Sequence, residues 1–534
     1  MAWFNYDRTR FSRPDHPSSM NETRKSMNTG EHDRMIARGA FVNVLGIIGK
    51  GMMFVFFILG TRLFGPKIMG VYFLVFTIID VAINLTVSGF ENGILMFASR
   101  YTDDKGKKDR LYRVLANGFV ISIFISFMLI AAAHFGGPEL LLAKYPQADL
   151  VWSVRLIFWS LPFVVILMVV IAATKSQLTM KWEAILSGYV RPGLLIGFAL
   201  IFFYLDAGLS GLIWGYLITQ IILSVIALFI FGRYFSYREL FSHLKRFKLF
   251  GNLMTFAIPQ NLNMTFNTLI TNLDVIMLGY FGFAPELIIF YGMGARVVRN
   301  IRITKLAFSG SYAPVIARLY ERGSTGEMNR TFSMVSRWTT TIGLPLALTV
   351  GLLRKDLLLL FHDTFTFDAT FMLLLLIPPV LSCCFGLAGN IVVMTGHSKW
   401  NLFNSMTVGG LNAVLNYLLI PGFGFMGAAA ATVIASAIIT LLQLIEARYL
   451  IKARLSVSLI YKPYVAMVIS SLVAATLAGA FELDSYFWAR ITVAICAIGV
   501  FIAVLFALGI DPSDKAAIAP KMFSKSKVDE NKRS

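Results

Sequence analysis

Five charged side chains lie inside two segments that are otherwise apolar enough to cross a bilayer: Asp274, Arg296, Arg299, Arg302 and Lys305. An ionisable side chain at the centre of a membrane helix costs about 2.5 to 3.5 kcal/mol on insertion scales. Such residues therefore face protein, water or a ligand rather than lipid. Most of these charges are arginines, and the planar guanidinium group binds phosphate through two parallel hydrogen bonds, so the segment predicts an anionic ligand.

The four cations recur at every third residue of one segment. In an α-helix each lies about 60° back from the one before it, so together they cover about half of the helix circumference. We expect Arg296, Arg299 and Arg302 to face a polar lumen and bind substrate, and Lys305 to be an interfacial charge. The alternative is that part of the set lies near the cytoplasmic end of the helix and extends into water.

Three more cations in apolar segments are candidate substrate contacts: Lys50, Arg155 and Arg191. Arg191 directly precedes Pro192. A proline inside a membrane helix bends it and frees a backbone carbonyl, so we expect a kinked segment with a polar face there.

The candidate gating or coupling residues are Arg62, Asp80, Glu91 and Asp274. Asp274 is either a packing carboxylate, hydrogen-bonded to asparagines of its own helix, or a residue that couples transport to a proton or another cation. Glu91 is either a coupling residue or the partner of nearby loop charges. Arg62 flanks the first outer loop, where it serves either as a gate or as an interfacial anchor.

The composition is that of a helical membrane protein. The chain has 534 residues, 57% of them hydrophobic, and short charged clusters interrupt apolar runs of about twenty residues at regular intervals. We expect an all-α polytopic protein of about fourteen transmembrane helices, at about 36–60, 68–95, 111–134, 150–173, 183–204, 210–232, 251–279, 286–313, 334–353, 370–395, 400–420, 425–449, 462–481 and 487–509.

Loop charges orient these helices. Lys and Arg concentrate in the connections from even to odd helices, for example 100–113 and 233–248, whereas the opposite connections carry few. Because cytoplasmic loops are enriched in Lys and Arg, both termini are predicted to be cytoplasmic. The same loops explain most of the net charge of +19, so no nucleic-acid partner is needed.

The predicted organisation has two lobes. A cytoplasmic tail (1–35) precedes a first six-helix lobe (36–234), an amphipathic linker helix (235–250) and a second six-helix lobe (251–454). Two additional helices (455–510) and a basic cytoplasmic tail (511–534) follow.

A weak internal repeat supports the two lobes. At a constant offset of 219 residues, Gly60, Pro66 and Tyr72 align with Gly279, Pro285 and Tyr291, among other identities. A parallel repeat is typical of alternating-access transporters, whose substrate site lies between the lobes. Asp80 takes the position of Arg299 in the repeat, so it pairs either with a charge across the lobes or locally, for instance with Lys50.

Several short motifs, in order, carry a family resemblance. They are 59-LGTRLFGP-66, 273-LDVIMLG-279, 313-APVIARLY-320, 343-GLP-345, 395-TGHSK-399 and 419-LIPGFG-424. Over about 36–455 the chain resembles the polysaccharide-biosynthesis, Wzx-type branch of the multidrug/oligosaccharidyl-lipid/polysaccharide exporter superfamily.

This resemblance implies a V-shaped, MATE-like protein of the bacterial cytoplasmic membrane. It would flip an undecaprenyl-diphosphate-linked oligosaccharide from the cytoplasmic to the outer leaflet by alternating access. The resemblance makes other polysaccharide-assembly membrane proteins candidate partners, and a cation gradient or the membrane potential a candidate energy source. The glycan is left open.

Two other functions compete with this interpretation. A MATE-like cation-coupled exporter of small molecules would need lumen acids for its mostly cationic substrates. A membrane glycosyltransferase or polymerase using the same lipid would need a large outer loop or paired acids, and Asp363 and Asp368 are too isolated for that. The chain is therefore not expected to be an enzyme. The histidines and cysteines show no metal-ligand spacing, so no cofactor or metal is expected.

Overall fold

The computed structural model describes residues 29–101, 108–136, 148–177, 179, 181–395, 398–480 and 487–509. All regular structure within these ranges is helical. Residues 1–28 of the first predicted tail and the whole of the second, 511–534, lie outside the described residues.

The described residues of the first half of the chain form eight α-helices. Two of their junctions are π-helical turns, at Asn84–Ser88 and Ala184–Val190. The helices are α1 (Thr29–Ile83), α2 (Gly89–Tyr101), α3 (Lys108–His134), α4 (Ala148–Phe158), α5 (Leu161–Ser176), α6 (Lys181–Glu183), α7 (Arg191–Tyr204) and α8 (Gly208–Tyr234).

A short helix, α9 (Tyr237–Lys245), follows at the predicted linker. Its Leu240 is buried, whereas Phe241 is exposed. His243 lies 2.9 Å, Nε2 to Oδ1, from Asp109 at the start of α3 and stacks on Tyr112. These contacts fix α9 against one end of the first helix bundle.

The part of the second half that the structure describes forms ten α-helices, with a 3₁₀ turn, Asn300–Arg302, between the second and third. They are α10 (Gly251–Tyr280), α11 (Pro285–Arg299), α12 (Ile303–Glu321), α13 (Thr325–Leu352), α14 (Arg354–Leu359), α15 (Phe371–Phe385), α16 (Leu387–Met394), α17 (Ser398–Leu450), α18 (Val457–Ala480) and α19 (Phe487–Ala507).

Two glycines replace loops that the sequence had predicted. The helical segments expected at 36–60 and 68–95 run into each other at Gly65 (φ 79°), and those expected at 400–420 and 425–449 do so at Gly424 (φ 57°). A residue without a Cβ adopts positive φ without a steric penalty, so each chain reversal needs no loop.

Seven described helices are long and apolar enough to cross a membrane, or nine if each bent pair counts as one span. The bent pairs are α4 with α5 (40°) and α15 with α16 (51°). The all-helical membrane architecture is thus confirmed. The number of fourteen crossings stays a prediction.

The helices pack as two bundles. In the first, α5 packs on α2, α3 and α8; in the second, α17 packs on α10, α15 and α16. The bundles meet where α1 contacts α10 and α11, and where α2 contacts α10. The last helices, α18 and α19, pack on each other and on α13, outside this contact.

Candidate functional site

A cavity of about 620 Å³ lies where the two bundles meet. Helices α1, α10 and α11 line it, together with the junction between the π-helical turn and α7. Its polar lining residues come from both halves of the chain: Asp80, Ser187, Arg191, Asn267, Thr268, Thr271, Asn272, Arg296, Arg299 and Asn300. The structure therefore places Asp80, Arg191, Arg296 and Arg299, four of the predicted site residues, in one cavity.

Three phenyl rings hold Arg296. Its Cζ lies 4.9 Å from the ring centre of Phe57, 4.7 Å from that of Phe73 and 5.1 Å from that of Phe76. Its Nε is buried and has no hydrogen-bond partner among the described residues. The negative face of an aromatic ring attracts a cation without neutralising it. The arginine is thus held in place while its charge remains available.

Arg299 is fixed by a backbone group. It donates a hydrogen bond to the carbonyl oxygen of Thr271 on α10. The next residue of α10, Asn272, donates to Asp80 Oδ2 on α1 at 3.4 Å. The sequence had left open whether Asp80 pairs across the lobes or locally, and its hydrogen-bond partner here is an amide of the other half of the chain.

Arg191 is held by two neutral side chains of α8. Its Nη2 donates to the Tyr216 hydroxyl at 3.1 Å. With the Gln220 amide oxygen turned toward the arginine, that oxygen accepts from Nε and Nη2, both at 3.3 Å. Pro192 and the π-helical turn Ala184–Val190 flank the arginine, as the predicted kink requires.

The cavity carries an excess of positive charge. Arg191, Arg296 and Arg299 face a single carboxylate, Asp80. Within the described ranges, no carboxylate oxygen lies within 4.0 Å of any of the three guanidinium groups. Arginines bound only by neutral groups keep donors and charge for an anionic ligand.

Two predicted substrate contacts, Arg302 and Arg155, do not line this cavity, and a third cannot be placed within the described part of the chain. Arg302 faces a smaller cavity inside the second bundle. Arg155 donates to the carbonyl oxygen of Ala133 at 3.3 Å, near the end of α3. The side chain of Lys50 lies outside the part of the structure that is described.

The other predicted gating residues lie at three separate places. Asp274 is buried and accepts from the Tyr291 hydroxyl at 2.6 Å, rather than from the asparagines of its own helix. Glu91 forms an ion pair with Lys175 at 3.1 Å. Lys175 also pairs with Glu183, at 2.9 Å. The interpretation of Glu91 as a partner of loop charges therefore describes its contacts best.

Arg62 joins the two halves of the chain. Its Nε donates to the carbonyl oxygen of Leu360 at 3.1 Å and its Nη2 to that of Leu359 at 3.3 Å. Asp363 lies 3.5 Å away. Since Arg62 lies in α1 and its partners follow α13, these contacts connect the bundles at one end.

Sequence reasoning missed the neutral side chains that hold the arginines. Phe57, Phe73 and Phe76 carry no signal of their own, because aromatic residues are common on apolar helices. Tyr216 and Gln220 were equally inconspicuous. The five residues surround the arginines only when α1 packs on α11 and α8 packs on α7.

Comparisons with known proteins agree with this architecture. A family described as "Polysaccharide biosynthesis protein" matches residues 36–319, just over half of the chain. A sequence search of curated proteins gives no match.

Solved structures match a larger part of the chain. The structure described as "Lipid II flippase MurJ, inward closed conformation" is 14% identical, with a TM-score of 0.68, over 88% of this chain and 99% of that one. An inward-facing multidrug resistance MATE transporter of the MOP superfamily is 15% identical, with a TM-score of 0.61. The match covers 76% of this chain and 94% of that one.

A third structure is described as a MOP superfamily transporter from Pyrococcus furiosus with reverse polarity of its binding pocket. It is 15% identical, with a TM-score of 0.55, and the match covers 77% of this chain and 94% of that one. At these identities the likeness establishes the fold. The chain is a multi-pass membrane protein with the fold of MOP-superfamily transporters, and it belongs to the polysaccharide biosynthesis protein family.

Proposed function

We propose that this protein flips a lipid-linked oligosaccharide diphosphate across the membrane by alternating access, with the diphosphate bound in the cavity between the bundles. The observation that carries the proposal is the convergence of Arg191, Arg296 and Arg299 on one cavity with a single carboxylate. Family membership supports a substrate of polysaccharide synthesis, and undecaprenyl diphosphate is the carrier we propose.

The geometry suits a diphosphate. Arginine is the side chain best matched to phosphate because its planar fork donates two parallel hydrogen bonds. In a partly dry cavity the attraction between such groups is stronger than in water. Asn267, Thr268 and Thr271 on α10 offer the neutral polar groups that sugar hydroxyls need.

Close helix contacts at two separate places between the bundles support alternating access. At the end that bears Arg62, a Cβ on Gly70 would lie 2.0 Å from the carbonyl oxygen of Pro285. At the end that bears Glu91, a Cβ on Gly89 would lie 2.2 Å from the carbonyl oxygen of Ala257. Both contacts join the two halves of the chain. We propose that they open in turn, the Arg62 end being the outer one.

A MATE-like exporter of organic cations is the competing function, and the fold alone permits it. The charge of the cavity opposes it, since a cationic drug would face three arginines and one carboxylate. The predicted energy coupling through Asp80 or Asp274 fits either function.

Transport in proteoliposomes tests the proposal. A fluorescent undecaprenyl-diphosphate oligosaccharide is placed in both leaflets, and its exposure to a membrane-impermeant quencher is followed with time. We expect translocation by the wild type and a loss of about tenfold or more in Arg299→Ala, because a charge-assisted hydrogen bond contributes about 1.5 to 3 kcal/mol. Arg299→Lys should recover only part of the translocation rate, since lysine cannot donate two parallel hydrogen bonds to a phosphate.

Arg233→Ala is the matched control, because Arg233 is exposed at the end of α8 and far along the chain from the cavity residues. It should translocate at the wild-type rate. If the lipid never flips, while an organic cation is exported against a proton gradient, the proposal fails and the MATE-like function replaces it.

A further inference from the structure

A second cavity, of about 220 Å³, lies inside the second bundle. It is enclosed by α10, α11, α15 and α17 together with the turn Asn300–Arg302. Its volume is below the range of about 300 to 1,000 Å³ typical of sites for drug-sized ligands. A sugar diphosphate does not fit there, but a small ion with its water does.

Two cations face this cavity. Arg299 and Arg302 both line it, three residues apart on the chain, against one carboxylate, Asp274. Like charges buried inside a protein repel each other more strongly than in water. The surplus positive charge opposes binding of a cation and favours an anion.

The hydrogen bonds of the lining residues also favour an anion. Both oxygens of Asp274 are used, one by the Tyr291 hydroxyl at 2.6 Å and one by the Val275 backbone N–H at 2.9 Å. By contrast, Arg302 Nε and Thr432 Oγ1 are buried and have no partner among the described residues. A buried donor without an acceptor costs about 1 to 3 kcal/mol, which a bound acceptor would relieve.

We propose that this cavity binds a small inorganic anion such as chloride, held by the guanidinium group of Arg302 and the hydroxyl of Thr432. Asn267, Thr271 and Arg299 line both this cavity and the one between the bundles. An anion bound here therefore lowers the positive potential that Arg299 presents to the larger cavity.

Chloride titration of the purified full-length protein tests this inference, using gluconate to keep the ionic strength constant. A ligand that binds the folded state raises the thermal midpoint in a saturable way. We expect saturable stabilisation of the wild type by chloride, and an affinity lower by about tenfold in Arg302→Gln and by about threefold in Thr432→Val.

Thr440→Val is the matched control. Thr440 lies on the same helix, α17, and donates to the carbonyl oxygen of Ser436 instead of facing either cavity. Its variant should bind chloride as the wild type does. Thr432→Val keeps the volume of the side chain, so it reports on the hydroxyl even if Arg302→Gln does not fold.

Bromide in crystals of the full-length protein locates the site. We expect an anomalous peak between Arg302 and Thr432. A peak confined to the cavity between the bundles, no saturable chloride effect, or an affinity unchanged by Thr432→Val would each overturn the inference. No lipid substrate is used, so these outcomes are independent of the proposed flippase function.

Discussion

At the scale of single residues, the arginines of the larger cavity share one property: each is held by groups that carry no charge. Arg296 lies against three phenyl rings, Arg299 donates to a backbone carbonyl, and Arg191 donates to a tyrosine and an amide. An arginine held by a carboxylate would be fixed equally well, but its charge would be cancelled. Neutral partners fix the position of the cation and leave its charge for the ligand.

The ring of Phe76 provides a test of this property. Phe76→Leu removes one cation–π contact, worth about 0.5 to 2 kcal/mol, and frees Arg296 to move. We expect affinity for undecaprenyl diphosphate, measured in nanodiscs, to fall by about twofold to thirtyfold. Phe54→Leu is the control, because Phe54 lines the same cavity and is not one of the three rings in cation–π contact with Arg296. Equal losses in both variants would contradict a role through Arg296.

At the scale of helices, irregular segments place the functional groups. A π-helical turn leaves backbone groups without their usual partners, and such turns are frequent at functional sites. Here the turn Asn84–Ser88 meets Asn261 of α10, which accepts from the Gly89 N–H at 2.7 Å and donates to the Leu85 carbonyl oxygen. One side chain of the second bundle thus satisfies two backbone hydrogen-bonding groups of the first.

Removal of that side chain should loosen the contact. In Asn261→Ala the Gly89 N–H loses its acceptor, at a cost of about 1 to 3 kcal/mol if it stays buried. We expect amide hydrogen exchange in the segment 84–93 to accelerate about tenfold, measured by mass spectrometry. Asn252→Ala, an exposed change on the same helix, should leave this segment as it is. Unchanged exchange in Asn261→Ala would show that Asn261 does not hold the two bundles together.

The two last helices are attached by an ion pair. Arg490 of α19 binds Asp356 of α14 through two hydrogen bonds, of 2.7 and 2.6 Å, and both side chains are nearly buried, at 13% and 11% exposure. Removing one partner of a buried pair leaves the other charge uncompensated, which costs about 3 to 5 kcal/mol.

We therefore expect Asp356→Asn to lower the thermal stability of the purified protein markedly. Asp363→Asn should change it little, because Asp363 is 88% exposed and lies 3.5 Å from Arg62. Fluorescence-detected unfolding in detergent measures both variants. A loss in Asp363→Asn as large as that in Asp356→Asn would rule out this explanation.

At the scale of the whole molecule, the two bundles approach each other closely at two separate glycines. Helix α1 approaches the start of α11 at Gly70, and the start of α2 approaches α10 at Gly89. Glycine is needed at both positions because any Cβ would overlap a backbone carbonyl of the other bundle. The balance between the conformations of a transporter depends on such paired contacts.

The two glycines should have opposite effects. Gly70→Ala separates the bundles at the Arg62 end and Gly89→Ala at the Glu91 end, so each favours opening at its own end. Accessibility of a single cysteine introduced next to the cavity, tested with a reagent added from one side, distinguishes them. Gly193→Ala is the control, because a Cβ there meets no atom within 4 Å. The same change in accessibility for both variants would contradict alternation.

The sequence by itself determined the class of the molecule. Insertion into a membrane depends on local hydropathy, and the cost of a buried charge depends on residue type, so both can be evaluated segment by segment. The all-helical membrane fold was predicted on this basis and the family from its ordered short motifs, and both are confirmed. Arg296, Arg299 and Arg191 were chosen because they are arginines inside apolar segments, and the structure brings these three together.

Only the tertiary structure decided which charges share a cavity and what holds each of them. Arg302 was expected beside Arg299 in the lumen, but the turn Asn300–Arg302 directs it into the second bundle. Asp80 meets Asn272, and Asp274 meets Tyr291. The first of these contacts joins residues 192 positions apart. Helical spacing fixes the face on which a residue lies, whereas the partner across that face depends on how helices far apart in the chain pack together.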